Sequence, residues 1–277
     1  MNKVMRIGSK DFIIGGHSYI MGILNVTPDS FSDGGKHDHL EEAIIHVEKM
    51  INEGADIIDI GGESTRPNYT FVSDEEEIKR VVPIIEEIRK RWDIPISIDS
   101  YKSKVAKAAC VAGADLINDV WGLQYDKDMA AVVKDMDVAV CLMHNRKDTD
   151  YGNFHEDFLQ DMRKIIDTAK EAGILDDKIM IDPGIGFAKT LDMNLYLMNN
   201  LEMLHQFAYP ILLGTSRKSI IGKTLDLPVD QRLEGTLATT VMGVMKGSQF
   251  IRVHDVLANA RAIQMTEAIL QKERHGN

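Results

Sequence analysis

Short, almost uninterrupted apolar runs recur along the chain and alternate with longer amphipathic stretches. The apolar runs are rich in β-branched residues and lie at 19–26, 55–60, 94–99, 114–119, 138–143, 178–182, 209–214 and 249–253. Because polar residues do not alternate with the apolar ones, the pattern is typical of parallel strands that are buried on both faces. It therefore predicts eight such strands.

The stretches between these runs predict helices. The segment HLEEAIIHVEKMINEG places its apolar residues on one stripe and ends at Gly54, where a helix C-cap is expected. In SDEEEIKRVVPIIEEIRKRW, Ser73 precedes Glu76 by three residues, which is the spacing of a capping box. Pro83 within the same segment predicts a kink or a local break in that helix.

Eight strands that alternate with helices over roughly 250 residues indicate an α/β fold of the (β/α)8 or TIM-barrel type. We expect residues 1–277 to form a single barrel domain. A doubly wound open sheet is the alternative, but its dinucleotide-binding version carries GxGxxG after an early strand, and the sequence has no such motif. The segment GSKDFIIGGHS predicts a short N-terminal β-hairpin that closes the bottom of the barrel.

Composition and charge narrow the classes of function. The hydrophobic fraction of 44% and the charged fraction of 27% are normal for a globular protein. No apolar run approaches the ~20 residues needed to cross a bilayer, and the first residues do not form a signal peptide, so we expect a cytoplasmic protein without membrane association. The net charge of −11 argues against nonspecific nucleic-acid binding, so an anionic ligand requires a local cluster of cations.

Polar side chains stand at the predicted C-terminal ends of several strands, where the chemistry of such barrels collects. Asp99, Asn118 and Asp182 each end or nearly end a run rich in Ile or Leu. Burying these groups is costly unless each finds a hydrogen-bond partner. Together they suit a ligand with a planar edge of N–H and C=O groups, such as a guanidine-like heterocycle. Lys218 is expected to pair with an aspartate or to donate to a ring carbonyl, and a purely structural polar network is the weaker alternative.

A second set of strand-end residues is cationic and comprises Arg66, Arg217, Lys218, Arg252 and His254. Arg252 and His254 are two residues apart on an extended segment, so their side chains point the same way. In an acidic protein this gathering predicts a site for phosphate or diphosphate. Solvated surface charge is the alternative for each residue, and above all for Arg217.

The sequence indicates no zinc site or covalent nucleophile, because it has no HExxH motif, no Cys/His cluster and no Ser-His-Asp arrangement. Cys110 and Cys141 are isolated and fit buried thiols in a reducing compartment. Asn25, followed by hydroxyl groups and aspartates, suits a hard ion such as Mg²⁺ that is shared with the phosphates of a ligand.

Taken together, eight segments resemble dihydropteroate synthase, in the order of that family and from about residue 19 to 260. They are ILNVTPDSFSDGG, ADIIDIGGESTRP, ISIDS, INDVWG, CLMH, IDPGIGFAKT, LLGTSRKS and IRVHDV. The resemblance implies an enzyme that condenses para-aminobenzoate with 6-hydroxymethyl-7,8-dihydropterin diphosphate and releases diphosphate in folate biosynthesis. It also implies Mg²⁺ as cofactor, a homodimer, a sulfonamide target, and a dissociative reaction in which the bond to diphosphate breaks first.

The resemblance implies roles for residues that match the motifs of the family. The pterin-binding residues would be Asp99, Asn118, Met143, Asp182, Phe187, Lys218 and Arg252. The diphosphate-binding residues would be Asn25, Thr65, Arg252 and His254, with Asn25 also as the ligand of Mg²⁺. The residues of the para-aminobenzoate pocket and its loops would be Phe31, Asp33, Arg66, Pro67, Lys218 and Ser219.

Two positions depart from the pattern of the family, since Asn68 and Ala188 replace glycines that are usual there. Both bear on the conformation of a loop. Two other functions remain as alternatives. A pterin-dependent methyltransferase would need a corrinoid partner and no diphosphate site, and a noncatalytic pterin-binding paralogue would bind without turnover.

Overall fold

A computed structural model of the chain describes residues 3–26, 36–63 and 71–271, with residues 36–38 described by their backbone only. An antiparallel hairpin of β1 (Lys3–Ile7) and β2 (Lys10–Ile14) comes first. The parallel strands that follow are β3 (Tyr19–Asn25), β4 (Ile57–Gly61), β5 (Ile96–Asp99), β6 (Leu116–Asp119), β7 (Ala139–Met143), β8 (Ile179–Asp182), β9 (Leu212–Leu213) and β10 (Phe250–Val253).

Helices connect successive strands. They are α1 (Lys36–Asn52), α2 (Asp74–Arg91), α3 (Ser103–Ala112), α4 (Met129–Met136), α5 (Phe154–Glu171), α6 (Leu191–Asn199), α7 (Ser219–Leu225), α8 (Leu233–Met245) and α9 (Val256–Ile269). Ser73 caps α2 by accepting a hydrogen bond from the backbone N–H of Glu76, as the capping box predicts. The prediction of a local break at Pro83 is wrong, because α2 continues through that residue. No helix in the described ranges has the length and apolar character needed to cross a membrane.

The eight parallel strands form a ring in the spatial order β8, β7, β6, β5, β4, β3, β10, β9. A parallel bridge between Ile181 and Ile211 joins the two ends of this order. The backbone N–H of Ile181 also donates to the carbonyl of Pro210 at 2.9 Å. The predicted (β/α)8 barrel with its N-terminal hairpin is therefore confirmed, whereas the single domain over residues 1–277 stays a prediction.

Alternate residues of each barrel strand face opposite sides of the sheet, and the two sides differ in chemistry. The outward set packs under the helices and includes Leu24, Ile58, Ile60, Ile98 and Ile181. The inward set begins with a buried apolar layer that includes Met21, Ile57, Leu116, Met180, Leu212 and Phe250. Both sets are apolar in the lower part of the barrel, which explains why the sequence shows continuous hydrophobic runs there.

The hairpin closes the bottom of the barrel, as predicted. Met5, Ile7 and Phe12 are almost fully buried and belong to the same apolar cluster as the lowest inward-facing layer. The ring of Phe12 packs edge-on against Tyr19, with centroids 4.8 Å apart, and lies 5.5 Å from the ring of Phe250. The hairpin is therefore part of the barrel core.

We expect Phe12→Ala to lower the free energy of unfolding by about 3–5 kcal/mol, because it leaves a cavity in the closed end of the barrel. Urea denaturation followed by circular dichroism measures this change. Val4→Ala is the matched control on the same hairpin, since Val4 is 42% exposed, and it should stay within about 0.5 kcal/mol of the wild type. Equal effects of the two substitutions would show that the hairpin does not seal the core.

Candidate functional site

The upper part of the barrel interior is polar, in contrast to its base. Strand register places Asp99 of β5 beside Asn118 of β6, and Met143 of β7 beside Asp182 of β8. Asp99, Asn118 and Asp182 are each at most 5% exposed. The structure therefore brings together the three strand-end acceptors that the sequence indicates.

Arg252 on β10 lies between two buried carboxylates. Its Nε donates to Oδ2 of Asp59 and its Nη2 donates to Oδ2 of Asp99, both at 2.6 Å. Burial raises the pKa of Asp99 to about 7, although the nearby Arg252 opposes this shift. The other oxygens, Oδ1 of Asp59 and Oδ1 of Asp99, are buried and have no hydrogen-bond partner among the described residues. Asp99 thus carries a buried acceptor that a ligand can use.

Asp182 and Lys218 form a second pair of opposite charges. Oδ2 of Asp182 and Nζ of Lys218 both lie 3.8 Å from the point where a Cβ on Gly214 would stand. The Lys218 ammonium donates to the carbonyl of Ile185 at 2.6 Å, and burial lowers its pKa to about 8. The absence of a side chain at Gly214 leaves space between this pair and Arg252.

An apolar wall stands beside these polar groups. Met143, Tyr101 and Val120 form a small buried cluster, against which Trp121 and Phe187 pack. The Lys218 ammonium lies 4.7 Å from the centroid of the Phe187 ring, within the range of a cation–π contact. An apolar wall beside a row of acceptors and donors suits a flat heterocycle with a polar edge.

A third group of residues lies at the ends of β3 and β10. Oδ1 of Asn25 and Oδ2 of Asp99 each lie 3.8 Å from the Cβ position of Gly61, so the two side chains approach the same space. His254 follows β10, and its Nδ1 lies 3.0 Å from Oγ of Ser216. Nη1 of Arg252 makes no hydrogen bond to another described residue, which leaves donors for an anion.

The described residues contain no group of three or more His, Cys, Asp or Glu side chains that could hold a metal. Mg²⁺ often uses one or two protein oxygens and completes its shell with phosphate oxygens and water. The amide oxygen of Asn25 is a ligand of this kind, so the residues present fit a Mg²⁺ ion shared with a phosphorylated ligand.

Other candidates from the sequence lie elsewhere. Ser219 is the first residue of α7 and is exposed. Phe31, Asp33, Thr65, Arg66 and Pro67 lie outside the described residues. Arg217 lies near the surface with its side chain 37% exposed, and its guanidinium donates to both carboxylate oxygens of Asp255, at 3.0 and 2.6 Å. Its interpretation as a surface charge stays a prediction.

Sequence reasoning missed Asp59, which is fully buried in the middle of β4. Its place in an apolar strand is itself a signal, since a carboxylate there is costly unless it is paired. The two-residue period of β4 also places Asp59 on the same side of the sheet as Ile57, inside the barrel. Only the structure shows that its partner comes from β10.

A second missed feature is a buried cluster at the end of β4. The ammonium of Lys102 donates to the carboxylates of Glu63 and Glu77 and to the carbonyl of Val72. The hydroxyl of Tyr101 donates to the other oxygen of Glu63 at 2.9 Å. Glu63 and Val72 therefore share one cation, although residues 64–71 separate them in the sequence.

Ala188, which replaces a usual glycine, has a φ of +45°. This left-handed conformation costs an L-residue about 1–2 kcal/mol. The hydroxyl of Tyr151 donates to the Ala188 carbonyl at 3.1 Å, and the neighbouring Lys189 also holds this segment. The chain thus adopts the conformation that a glycine would allow, and surrounding contacts offset its cost.

Comparisons with known proteins identify relatives of the chain. A family model described as pterin binding enzyme matches residues 21–254. A dihydropteroate synthase of Clostridium beijerinckii is 60% identical over 269 residues, which are 97% of this chain and 100% of that protein.

Solved structures agree with this relationship. A dihydropteroate synthase from Clostridium difficile, crystallised in the presence of pteroic acid, gives a TM-score of 0.92 at 49% identity and covers 94% of this chain and 100% of that one. A dihydropteroate synthase from Xanthomonas albilineans with 4-aminobenzoic acid also gives a TM-score of 0.92, at 38% identity, and covers 98% of this chain and 99% of that one.

We expect Arg252→Met to destabilise the unliganded protein at pH 8 by about 3–5 kcal/mol, because Asp59 and Asp99 lose their buried partner. The loss should shrink as the pH falls toward 5.5. Without Arg252, the pKa of Asp99 rises above its value of about 7, so the folded variant binds a proton that the unfolded chain does not. Urea denaturation at both pH values, each relative to the wild type, measures this.

Arg217→Met is the matched control, since the side chain of Arg217 is 37% exposed and pairs with Asp255 near the surface. It should cost about 1 kcal/mol or less at either pH. A loss for Arg252→Met that is small, or that does not depend on pH, would contradict the assigned ion pairs.

Proposed function

Because the chain belongs to the pterin-binding enzyme family and, within it, to the dihydropteroate synthases, we propose how the residues at its strand ends divide the work of that reaction. The enzyme is a transferase of folate biosynthesis that joins 6-hydroxymethyl-7,8-dihydropterin diphosphate to para-aminobenzoate and releases diphosphate. One observation carries the division of roles. Oδ1 of Asp99 is a buried acceptor at the barrel mouth without a partner among the described residues.

In our proposal the pterin lies in the polar upper barrel. Asp99, Asn118 and Asp182 bind its N–H and C=O edge, and Lys218 donates to a ring carbonyl. Met143 and Phe187 cover the ring faces, and Arg252 stacks against the ring while it holds Asp99 in place. The apolar cluster around Met143 and the adjacent carboxylates support this arrangement. A bound pterin would provide partners for acceptors that burial otherwise penalises.

The diphosphate would lie between the ends of β3 and β10. Arg252 offers its Nη1 donors there, and His254 offers a ring donor while Ser216 orients the imidazole. Asn25 would hold a Mg²⁺ ion shared with the diphosphate, and Thr65 would add a hydroxyl donor. When bound, Mg²⁺ supplies positive charge that stabilises the departing diphosphate.

For para-aminobenzoate we propose a pocket above the pterin, formed by Phe31, Asp33, Arg66, Pro67, Lys218 and Ser219. The support for these residues is their position in the family motifs, and for Lys218 also its place at the barrel mouth. Arg66 is the cation suited to the carboxylate of the arylamine.

The proposed reaction is dissociative. The C–O bond to diphosphate breaks first, and the leaving group takes the electron pair toward Arg252 and His254. The pterin cation that remains lies near the carboxylates of Asp59 and Asp99, whose negative charge favours it. The neutral arylamine then forms the C–N bond and loses a proton to solvent. Water must be excluded while the cation exists, because water competes as a nucleophile.

We further propose that the protein is a homodimer that associates through α8 and α9. Exposed apolar side chains stand on both helices, namely Met242, Met245, Leu257, Met265 and Ile269. The members on α9 stand at positions 257, 265 and 269, separated by eight and then four residues, so they lie on one side of the helix. Apolar groups that gather in this way are typical of a protein interface.

The dimer proposal predicts that Met265→Glu converts the protein to a monomer in sedimentation velocity experiments, because it places a charge in the apolar contact. Val111→Glu is the control, since Val111 is 73% exposed on α3. It should leave the dimer intact. A wild-type protein that sediments as a monomer would overturn the proposal.

The proposed location of the reaction is the cytoplasm. Cys110 and Cys141 are buried free thiols that lie on different elements, which fits a reducing compartment.

The central test is to measure diphosphate release and dihydropteroate formation from both substrates with Mg²⁺. Pterin binding without turnover would indicate a noncatalytic paralogue. For Asn25→Ala we expect the Mg²⁺ concentration for half-maximal rate to rise roughly 10–100-fold. The affinity for 6-hydroxymethylpterin, which lacks the diphosphate, should change less than about twofold, because it makes no contact with the ion.

Asn25→Asp is the matched variant, because it keeps an oxygen ligand at the same position. It should retain Mg²⁺ binding in the presence of diphosphate, as measured by calorimetry, whereas Asn25→Ala should lose it. Equal losses of Mg²⁺ dependence and pterin affinity in Asn25→Ala would argue against the metal role.

A further inference from the structure

Lys189 lies behind the pocket wall and is surrounded by acceptors. Its Nζ donates to the carbonyls of Phe187 at 2.8 Å and Gly184 at 3.0 Å, and it lies 3.4 Å from the carbonyl of His144. The same nitrogen lies 3.0 Å from Nδ1 of the His144 ring. A lysine ammonium can donate three hydrogen bonds and cannot accept one. Surroundings made of carbonyl and imidazole acceptors therefore match the charged form of Lys189.

His144 is fully buried and completes this network. Its Nε2 lies 3.3 Å from Oδ2 of Asp161 on α5, and Arg146 donates from Nε to the same oxygen at 2.5 Å. Burial lowers the pKa of His144 to about 4, so the ring is neutral at pH 7. The Asp161 carboxylate accepts a hydrogen bond from Nε2–H of His144, which leaves Nδ1 of the ring as the acceptor for Lys189. A chain of hydrogen bonds therefore runs from Asp161 through His144 to Lys189.

The segment that Lys189 holds is the turn between β8 and α6. The N–H of Gly184 donates to Oδ1 of Asp182 at 2.7 Å, and the N–H of Phe187 donates to the carbonyl of Gly184 at 3.1 Å. A Cβ on Gly184 would stand 2.0 Å from the carbonyl oxygen of His144, so only glycine permits this approach. The turn thus connects the Asp182 carboxylate with the Phe187 ring.

We propose that Lys189 is a positioning residue for the pterin pocket, because its ammonium fixes the turn that aims both Asp182 and Phe187. Lys189 acts through these two residues and does not itself touch the substrate. The inference rests on the proposed binding of pterin by Asp182 and Phe187.

The arrangement explains why a cation is used at this place. Two carbonyls of the turn and one of the neighbouring strand end converge on a single point, and a neutral apolar side chain would leave them without a donor. Burial lowers the pKa of Lys189 to about 7, whereas the charge of Asp182 opposes that shift. The charged form of Lys189 is therefore stabilised by Asp182, whose turn the lysine holds.

The first test is Lys189→Met, which keeps the length of the side chain and removes the donor. We expect the dissociation constant for 6-hydroxymethylpterin to rise about tenfold, since charge-assisted hydrogen bonds of this kind are lost. The KM for para-aminobenzoate at saturating pterin diphosphate should change less than about twofold, because none of the residues proposed for its pocket belongs to the turn. A merely structural role would change both constants or neither.

Lys178→Met is the matched control at the opposite end of β8, where the Lys178 ammonium donates to the carbonyl of Asp137 at 2.8 Å. Both constants should remain at their wild-type values in this variant. If Lys189→Met does not fold, as judged by circular dichroism, Lys189→Gln keeps an N–H donor and allows the same measurements.

A double-mutant cycle with Phe187→Ala tests whether Lys189 acts through Phe187. Phe187→Ala alone should weaken pterin binding, and Lys189→Met should cost less in that background than in the wild type, because only the part of its effect that acts through Asp182 remains. Additive effects, or no effect of the Lys189 substitution alone, would overturn the positioning role. If Phe187→Ala itself leaves pterin affinity unchanged, the result contradicts the proposed pterin pocket. It does not then bear on whether Lys189 positions Phe187.

Discussion

The two-residue period of the barrel strands is the constraint on which the rest of the structure depends. It sends one set of side chains under the helices and the other set into the closed interior. Near the hairpin both sets are apolar, and this end of the barrel is a packed apolar core. Further along six of the strands the inward set becomes polar, with Asn25, Asp59, Asp99, Asn118, Asp182 and Arg252. Because these strands make the change at the same end of the barrel, the polar groups share one cavity.

That cavity holds charges that stabilise one another. Asp59 and Asp99 share Arg252, and Asp182 lies near Lys218, so each of these three buried carboxylates has a cation nearby. Each of these groups would be costly alone, and their mutual attraction reduces that cost without removing it. The oxygens of Asp59 and Asp99 that have no partner in the described part of the chain show that stability is not maximised here. A binding site retains such unsatisfied groups because a ligand can use them.

The sequence was sufficient for the fold, because continuous apolar runs and helix caps are local signals. It also indicated Asp99, Asn118, Asp182 and Arg252, since each interrupts or ends a strand, and Lys218 in the loop that follows a strand. The partners of these residues were not accessible in the same way. Asp59 and Arg252 are 193 positions apart, and the match between them appears only when the ring closes. The contacts of Lys189 with the backbone of its own turn were likewise invisible, because carbonyl positions leave no trace in residue types.

The buried ammonium of Lys102 has a consequence for how the protein can change over time. It binds Glu63 before residues 64–71 and the carbonyl of Val72 after them, so the barrel fixes both attachment points of that stretch. Substitutions between these two anchors, such as Asn68 where a glycine is usual, leave the anchoring side chains themselves unchanged. Such changes can alter the recognition of a ligand or inhibitor during evolution while the barrel and its buried ion pairs are inherited intact.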